Sequence, residues 1–535
     1  MKAFINLLVS LLSVLLVFLS CQKEPRHPEP VQPAGFRELV QAHRDGLTFY
    51  GLTINASTAT FTFEGLTLNV SLSNGVGISD CRTSSPAVVS WDENGEWMVG
   101  KKLMGIWRNT GVDDLDASPV YMYYTQVQFV ACLHNGQRLA YTISPEPKPS
   151  PTNKSIPAVY LTTDGGAAIT SKEDYVTGKI KIVNLDEFFP GVRDFEATMK
   201  IRGRGNSTWG MPKKPYKIKL DSKACLFDMS TDKEWCLLAN YCDKSLLRNL
   251  LAMELSRMLA FSWTPRMVPV EVYLNGKYQG VYNFSEHKKV SKERVDIDLD
   301  AGDILFELEE NQDETVCWWT DHSAPVMFSE PSEPTEEQIA YAKQYFKDFE
   351  TALWNKDFAT VYNMIDVDSF INNFIIQELT KNVDGNLRKS TFITLPKGGK
   401  LEMYHVWDFD ITLGNCDYYN DGFKPWEGWW IKDRGSAGKN HGWYYRLFMD
   451  PEFVKKVKAR WNEMYPQFQT IPDWIDYNVQ VLGDAPRRNF ITWKILDQYV
   501  WPNYKVPGSY EGEIEWLQEY YAKRLEWMNK NINAL

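Results

Sequence analysis

Residues 268–286 read VPVEVYLNGKYQGVYNFSE, and this stretch decides how the middle of the chain folds. Segments rich in β-branched and aromatic residues stand on both sides of Asn275-Gly276, a pair that favours the tight turn of a two-residue β-hairpin. We therefore predict two antiparallel strands, Val268–Leu274 and Lys277–Asn283, joined by that turn.

Around this hairpin, from residue 157 onward, strand-like and helix-like segments are mixed. After Asp243, which we expect to cap a helix, apolar residues recur three and four positions apart from Leu246 to Leu259. Further helices are expected near residues 335–353, 366–381, 451–466 and 512–532. The pattern predicts an α+β domain over residues 157–535.

Residues 36–145 have a different pattern, without a long helical period. Apolar and polar residues alternate in Thr60–Phe63 and Leu66–Val70, and residues 88–91 and 96–99 flank a turn signal. We predict an all-β, immunoglobulin-like sandwich at 36–145. The Pro-rich residues 146–156 are then a linker.

The first residues are typical of a bacterial secretion signal. Met1 and Lys2 precede an apolar stretch, and Leu19-Ser20-Cys21 resembles the lipobox of bacterial lipoproteins. We predict a signal peptide at 1–20, a lipid on Cys21 and a tether at 21–35, in a protein anchored at the outer membrane on its periplasmic or cell-surface face. The alternative is an uncleaved membrane anchor, because eighteen apolar residues just span a bilayer.

Composition excludes several classes of function. The net charge of −11 argues against binding to nucleic acid, and it leaves the N-terminal lipid as the expected contact with a membrane. The cysteines form no C-x-x-C pair, which argues against a zinc site. Aromatic residues make up 14% of the chain, a surplus that suits large β cores and also stacking surfaces for sugars.

Charged residues suited to phosphate chemistry occur in four segments. Glycines in IRGRGNSTW (201–209) allow backbone N–H groups to approach a phosphate. A lysine can neutralise phosphate, an acid can hold the lysine, one carboxylate can activate a hydroxyl and another can bind Mg²⁺. Each residue also has a structural interpretation, such as a surface ion pair or a turn. The candidates are Arg204, Lys217, Lys219, Glu286, Asp384, Asp408 and Asp410.

Five ordered motifs give the chain a resemblance to the CotH (spore-coat protein H) kinase family over about residues 157–465. The motifs are RGRGNSTW (202–209), KKPYKIKL (213–220), EWCLLANYCDKSLLRN (234–249), VPVEVYLNGKYQGVYNFSEHKK (268–289) and VWDFDITLGN (406–415). The resemblance implies an atypical protein-kinase-like fold that uses ATP with Mg²⁺ or Mn²⁺. It also implies phosphorylation of Ser or Thr in a partner protein.

The resemblance implies a role for each charged residue. Asp384 is the implied catalytic acid/base, and Lys389 stands five residues later, where protein kinases place a metal-binding Asn. The implied nucleotide contacts are Arg204, Lys217 or Lys219, and Glu286 as the partner of the lysine, and the implied metal ligand is Asp408 or Asp410.

The alternative is a catalytically silent surface protein that keeps the fold and binds a glycan or a protein. An exported protein meets almost no ATP, and the aromatic segments 423–430 and 443–445 would stack on sugars if they were exposed. If buried, they belong to the core. Convergence of Lys217, Glu286, Asp384 and Asp410 on one cleft would favour the kinase-like interpretation.

Overall fold

The computed structural model describes strands between residues 49 and 142, and then residues 156–183, 185, 193–385, 387–418, 424–434 and 442–535. The signal peptide, the tether and the lipidation at Cys21 predicted from the sequence lie outside these residues. Among the described residues, no helix is both long and apolar enough to cross a membrane.

The N-terminal part contributes three antiparallel sheets. One contains β1–β3, another is the β4–β5 hairpin, and the third contains β6–β8. The predicted strands around residues 60–70 and the hairpin around residues 88–99 are confirmed, whereas the immunoglobulin-like sandwich stays a prediction. The strands are β1 (Phe49–Ile54), β2 (Thr58–Phe63), β3 (Leu66–Ser71), β4 (Val89–Trp91), β5 (Trp97–Val99), β6 (Pro119–Tyr124), β7 (Gln128–Leu133) and β8 (Arg138–Thr142).

A closed seven-stranded barrel follows, in the order β10-β11-β12-β13-β15-β14-β9. The barrel closes because β9 pairs in parallel with β14 and antiparallel with β10. The predicted hairpin is confirmed as β14–β15: both turn residues, Asn275 and Gly276, have positive φ, as a type I′ turn requires. The strands are β9 (Ala158–Thr163), β10 (Val176–Val183), β11 (Phe195–Gly203), β12 (Tyr216–Cys225), β13 (Thr231–Leu238), β14 (Met267–Leu274) and β15 (Lys277–Glu286).

A second sheet of five antiparallel strands has the order β17-β18-β16-β19-β20. β16, β19 and β20 consist almost entirely of buried residues. The strands are β16 (Ile304–Leu308), β17 (Cys317–Trp319), β18 (Pro325–Glu330), β19 (Thr391–Leu395) and β20 (Glu402–Val406).

The helices complete a mixed α/β architecture, and the four helices predicted from periodicity are confirmed within a few residues. They are α3 (Glu336–Trp354), α5 (Val367–Thr380), α8 (Pro451–Phe468) and α11 (Tyr510–Asn533). The helices are α1 (Ser207–Gly210), α2 (Arg248–Met258), α3 (Glu336–Trp354), α4 (Phe358–Met364), α5 (Val367–Thr380), α6 (Ile431–Arg434), α7 (Trp443–Leu447), α8 (Pro451–Phe468), α9 (Ile471–Leu482), α10 (Ala485–Thr492) and α11 (Tyr510–Asn533).

Asp243 does not occupy the cap position of α2, which belongs to Leu247. Its carboxylate nevertheless accepts the first N–H of the helix, from Arg248, and forms a fully buried ion pair of 2.7 Å with the Arg248 guanidinium. The same guanidinium donates through Nε to the carbonyl of Thr412 at 3.1 Å. The start of α2 thereby fixes the segment that follows β20.

Candidate functional site

Three neighbouring strands of the five-stranded sheet bring charged loops to one end of that sheet. Leu308, the last residue of β16, pairs with Thr391 at the start of β19, and Thr391 pairs with Val406 at the end of β20. Because these strands alternate in direction, the segments that leave them here share one end of the sheet. The segments carry Glu309 and Glu310, then Asp384 and Lys389, and then Asp408 and Asp410.

Asp384 lies in a tight turn between α5 and β19. The helix ends at Thr380, and its C-cap residue, Lys381, has a left-handed φ of 46°. The side-chain carbonyl of Asn382 then accepts the N–H groups of Asp384 at 3.2 Å and Gly385 at 2.9 Å. This Asx-type turn fixes the direction in which the half-buried Asp384 side chain leaves the backbone.

Asp408 and Asp410 lie in a constrained loop after β20. Asp408 has a φ of 68°, and the N–H of Phe409 donates to the side chain of Asn249 at 2.8 Å. The buried Asp410 accepts a hydrogen bond from the Cys242 thiol at 3.3 Å. Left-handed backbone in a non-glycine residue is concentrated at functional sites, where the surrounding structure holds it in place.

The three carboxylates are close enough to influence one another's pKa. Burial raises the pKa of Asp410 well above its ordinary value, and the like charges of Asp408 and Asp384 raise it further. Burial also raises the pKa of Asp408, against the opposing effect of Arg204 and Lys389. Asp408 is exposed to solvent, whereas Asp384 is half-buried and Asp410 is buried.

Lys389 supplies positive charge beside these acids. Its ammonium lies 3.4 Å from the carboxylate of Glu310 and lowers the pKa of both Asp384 and Asp408, against the larger effect of burial. Lys389 thus places a cation five residues after Asp384. It compensates part of the negative charge of the cluster.

Arg204 connects the barrel to this end of the sheet. It follows β11 directly, and its guanidinium lies 5.5 Å from the ring of Trp407, next to Asp408. Burial lowers the pKa of His287 well below its ordinary value, and the nearby charges of Lys217 and then Arg204 lower it further. Arg204 and Lys217 therefore form one positively charged wall beside His287, and Arg204 also acts on Asp408.

The expected ion pair between Lys217 and Glu286 is wrong. Lys217 pairs instead with Glu234, at 2.8 Å, whereas the buried Glu286 accepts the N–H groups of Ser230 at 2.8 Å and Arg266 at 2.9 Å. Strand register is the reason. Lys217 lies opposite Cys236 of β13, but Glu286 lies opposite the preceding residue of that strand, Trp235. Because neighbouring residues of a strand face opposite sides, the Lys217 and Glu286 side chains point to opposite faces of the barrel wall.

Lys219 makes the weaker contact of the two candidate lysines. Its ammonium is 3.6 Å from Glu234, and its side chain is 48% exposed, against 17% for Lys217. Glu234 therefore holds Lys217 in place and leaves Lys219 in solvent. Glu234 is not among the residues predicted from the sequence, although it lies in the motif EWCLLANYCDKSLLRN and carries the charge opposite to that of Lys217.

The carboxylates suit a divalent cation only in part. Asp408 and Asp410 offer the oxygen ligands that Mg²⁺ and Mn²⁺ prefer. Burial and then the charge of Asp408 raise the pKa of Asp410, and a cation beside the two carboxylates would neutralise this negative charge. The described residues hold no preassembled group of three or more metal-ligating side chains. Mg²⁺ is commonly bound by one or two carboxylates together with substrate phosphates, and the residues present fit that mode.

A buried ion pair behind the site escaped the sequence analysis. Glu378 of α5 and Arg524 of α11 are both fully buried and lie 2.9 Å apart. Glu378 also accepts the N–H groups of residues 430, 431 and 432, and Arg524 donates to the carbonyls of Trp426 and Gly428. The pair thereby ties the helix before Asp384 to the segment after Asp410. A glutamate within the otherwise apolar and amide-bearing stretch FINNFIIQELT (370–380) is the signal that points to it.

The aromatic segments considered for sugar binding belong mainly to the core. Trp430, Trp443 and Tyr444 are each no more than 3% exposed, and Trp426 and Trp429 are partly buried and packed against the core. Phe423 lies outside the described residues. Among the described residues of these segments, the tryptophan rings are buried or packed against the core.

A family model described as "CotH kinase protein" matches residues 201–528, which is more than half of the chain. The match includes the positively charged wall, the three carboxylates and the Glu378–Arg524 pair. No curated protein matches the chain.

Proposed function

Because this chain belongs to the CotH kinase family, we propose that it transfers a phosphoryl group from a nucleoside triphosphate, ATP, to a Ser or Thr hydroxyl of a partner protein. The observation that carries the proposal is the convergence of Asp384, Asp408 and Asp410 at one end of the sheet, opposite Arg204. Phosphoryl transfer depends mainly on positioning and on electrostatic stabilisation, and the site provides fixed charges of both signs.

Asp384 is the proposed base for the acceptor hydroxyl. Burial raises the pKa of Asp384, which makes its carboxylate a better proton acceptor than an exposed aspartate. The turn formed by Asn382 fixes the backbone from which the Asp384 side chain extends.

Arg204 and Lys217 are proposed to bind the phosphates, with Glu234 holding Lys217. Asp408 and Asp410 would hold Mg²⁺ or Mn²⁺. When bound, the metal would neutralise charge on the phosphates.

The test is calorimetric titration of ATP with Mg²⁺ or Mn²⁺ into the chain lacking residues 1–21. We expect metal-dependent binding that Asp410→Asn abolishes and that Asp348→Asn, a change of an exposed aspartate on α3, leaves intact. Labelled γ-phosphate should then appear on a generic acceptor such as casein, and Asp384→Asn should remove that transfer while retaining nucleotide binding. Absence of binding at millimolar ATP would refute the proposal.

One observation favours the second candidate, a catalytically silent binding protein. Lys389 stands in the place of a metal ligand and already compensates Asp384 and Asp408. If the cation replaces the metal, the chain would bind neither metal nor nucleotide, and Lys389→Asn would create metal-dependent ATP binding. Unchanged binding in Lys389→Asn would eliminate this candidate.

We also propose that the protein is an exported lipoprotein of the outer membrane, anchored by a lipid on Cys21. The support is the N-terminal sequence alone. Incorporation of an alkyne-labelled fatty acid during expression in a bacterial host, lost in Cys21→Ala, is the expected result. Labelling that persists in Cys21→Ala would contradict it.

A further inference from the structure

Three aromatic side chains lie in solvent beside the candidate site. Tyr418 is 37% exposed, Tyr499 is 56% exposed and Trp501 is 46% exposed. The rings of Tyr418 and Trp501 are 5.9 Å apart and tilted by 51°, and the Tyr499 hydroxyl donates to the Asp417 carboxylate at 2.7 Å. We call Tyr418, Tyr499 and Trp501 the aromatic surface.

The backbone under the aromatic surface is fixed by buried polar groups. The buried Asn503 side chain donates to the carbonyl of Cys242 at 2.8 Å and to the side chain of Asn415 at 2.9 Å. The N–H of Asp417 donates to the carbonyl of Pro502 at 2.9 Å. In addition, the fully buried Lys244 ammonium donates to the carbonyl of Gln498 at 2.6 Å. The rings are therefore presented on a preorganised backbone, which lowers the entropic cost of binding.

We propose that the aromatic surface binds a neutral oligosaccharide. The face of a sugar ring carries C–H groups that pack against the electron-rich face of an aromatic ring, while the hydroxyls around the sugar need hydrogen-bonding partners. Trp501 and Tyr418 offer two tilted ring faces, and the Tyr499 hydroxyl and the Asp417 carboxylate offer polar groups beside them.

The negative charge around the aromatic surface favours a neutral saccharide over an anionic ligand. Asp417 lies within the aromatic surface, and Asp384 is close enough to raise the pKa of the Tyr418 hydroxyl, after the larger effect of burial. The chain as a whole carries a net charge of −11. Anionic lipid headgroups and acidic glycans would meet repulsion here, whereas a neutral saccharide would not.

The position of this surface also has a consequence. A saccharide on Tyr418 and Trp501 would lie near Asp384, whose charge reaches the Tyr418 hydroxyl. Binding itself does not depend on catalysis, so the proposal stands whether or not phosphoryl transfer occurs.

The experiment uses isothermal titration of the chain lacking residues 1–21, without nucleotide or metal, against maltohexaose, cellohexaose, xylohexaose and mannohexaose, after a screen on an array of neutral glycans. We expect binding of at least one of these probes. Trp501→Ala should weaken it by at least about tenfold, and Trp501→Phe, which keeps a ring, should retain most of it. Trp319→Ala is the matched control, because Trp319 is 51% exposed and lies on the edge strand β17.

Three results would overturn the proposal. The first is no binding on the array or to any of the four probes, and the second is binding that Trp501→Ala leaves unchanged. The third is binding only to phosphatidylglycerol vesicles or to unglycosylated peptides, with loss in Trp501→Ala, which would assign the surface to a membrane or a protein. Equal thermal unfolding temperatures of the variants ensure that a loss of binding is not a loss of folding.

Discussion

Replacing Arg524 by Met should destabilise the protein strongly, because the change leaves Glu378 buried without its counter-charge. The Arg524 guanidinium is fully buried and donates to the Glu378 carboxylate, to the Glu378 carbonyl and to the carbonyls of Trp426 and Gly428, at distances of 2.8 to 3.1 Å. Removal of one partner from a buried ion pair costs about 3–5 kcal/mol of unfolding free energy.

The measurement is urea unfolding followed by tryptophan fluorescence, with the change in midpoint evaluated at constant m value. Glu378→Gln should cost less than Arg524→Met, because the amide oxygen still accepts the N–H groups of residues 430–432. In the double variant, the cost should be smaller than the sum of the two single costs, since the two residues interact directly.

Arg487→Met is the matched control. The Arg487 side chain is 67% exposed and lies 4.0 Å from Asp484, so its loss should change stability by no more than about 0.5 kcal/mol. A cost below about 1 kcal/mol for Arg524→Met would refute the inference that this pair holds the segments around the site together.

Three further results are expected. Burial and the charge of Asp408 raise the pKa of Asp410 in the folded state, so the metal-free protein should lose stability as the pH rises from about 4 toward 8. The Asp410→Asn variant should lose less stability over the same range, as measured by thermal unfolding at each pH. Equal pH dependence of the two proteins would contradict the assignment. In calorimetry, Lys217→Met should weaken ATP binding by about tenfold and Lys219→Met by much less, because Glu234 lies closer to the Lys217 ammonium than to that of Lys219. Equal effects of the two substitutions would contradict the proposal that Glu234 positions Lys217 for binding. In time-resolved alkylation followed by mass spectrometry, the exposed Cys225 should react far faster than the buried Cys242. Burial, and then the charge of Asp410, raise the pKa of the Cys242 thiol well above its ordinary value. Fast reaction of Cys242 would mean that the loop that carries Asp410 opens readily.

Local sequence patterns predicted the local structure well. Asn275-Gly276 permits the two positive φ values of a tight hairpin turn, and the helices near 335–353 and 366–381 begin at side-chain caps, Thr335 and Asp366. Such signals act between residues a few positions apart, so they survive in almost any tertiary context.

Pairings between distant strands could not be predicted in the same way. Whether Lys217 meets Glu286 or Glu234 depends on the register of three barrel strands, and a shift of one residue moves a side chain to the opposite face. The burial of Trp430 and the exposure of Trp501 have the same origin, because both residues lie in irregular segments whose environment only the assembled fold determines.

The buried pair of Glu378 and Arg524 also imposes an order on biosynthesis. The two residues are 146 positions apart, so at usual rates of translation the ribosome adds Arg524 roughly 7–30 s after Glu378. During that interval the N–H groups of residues 430–432 and the carboxylate they bind have no guanidinium to complete the network. Nascent chains should therefore carry an unfinished site, and the anchored arrangement of loops arises only once α11 has been made and has docked.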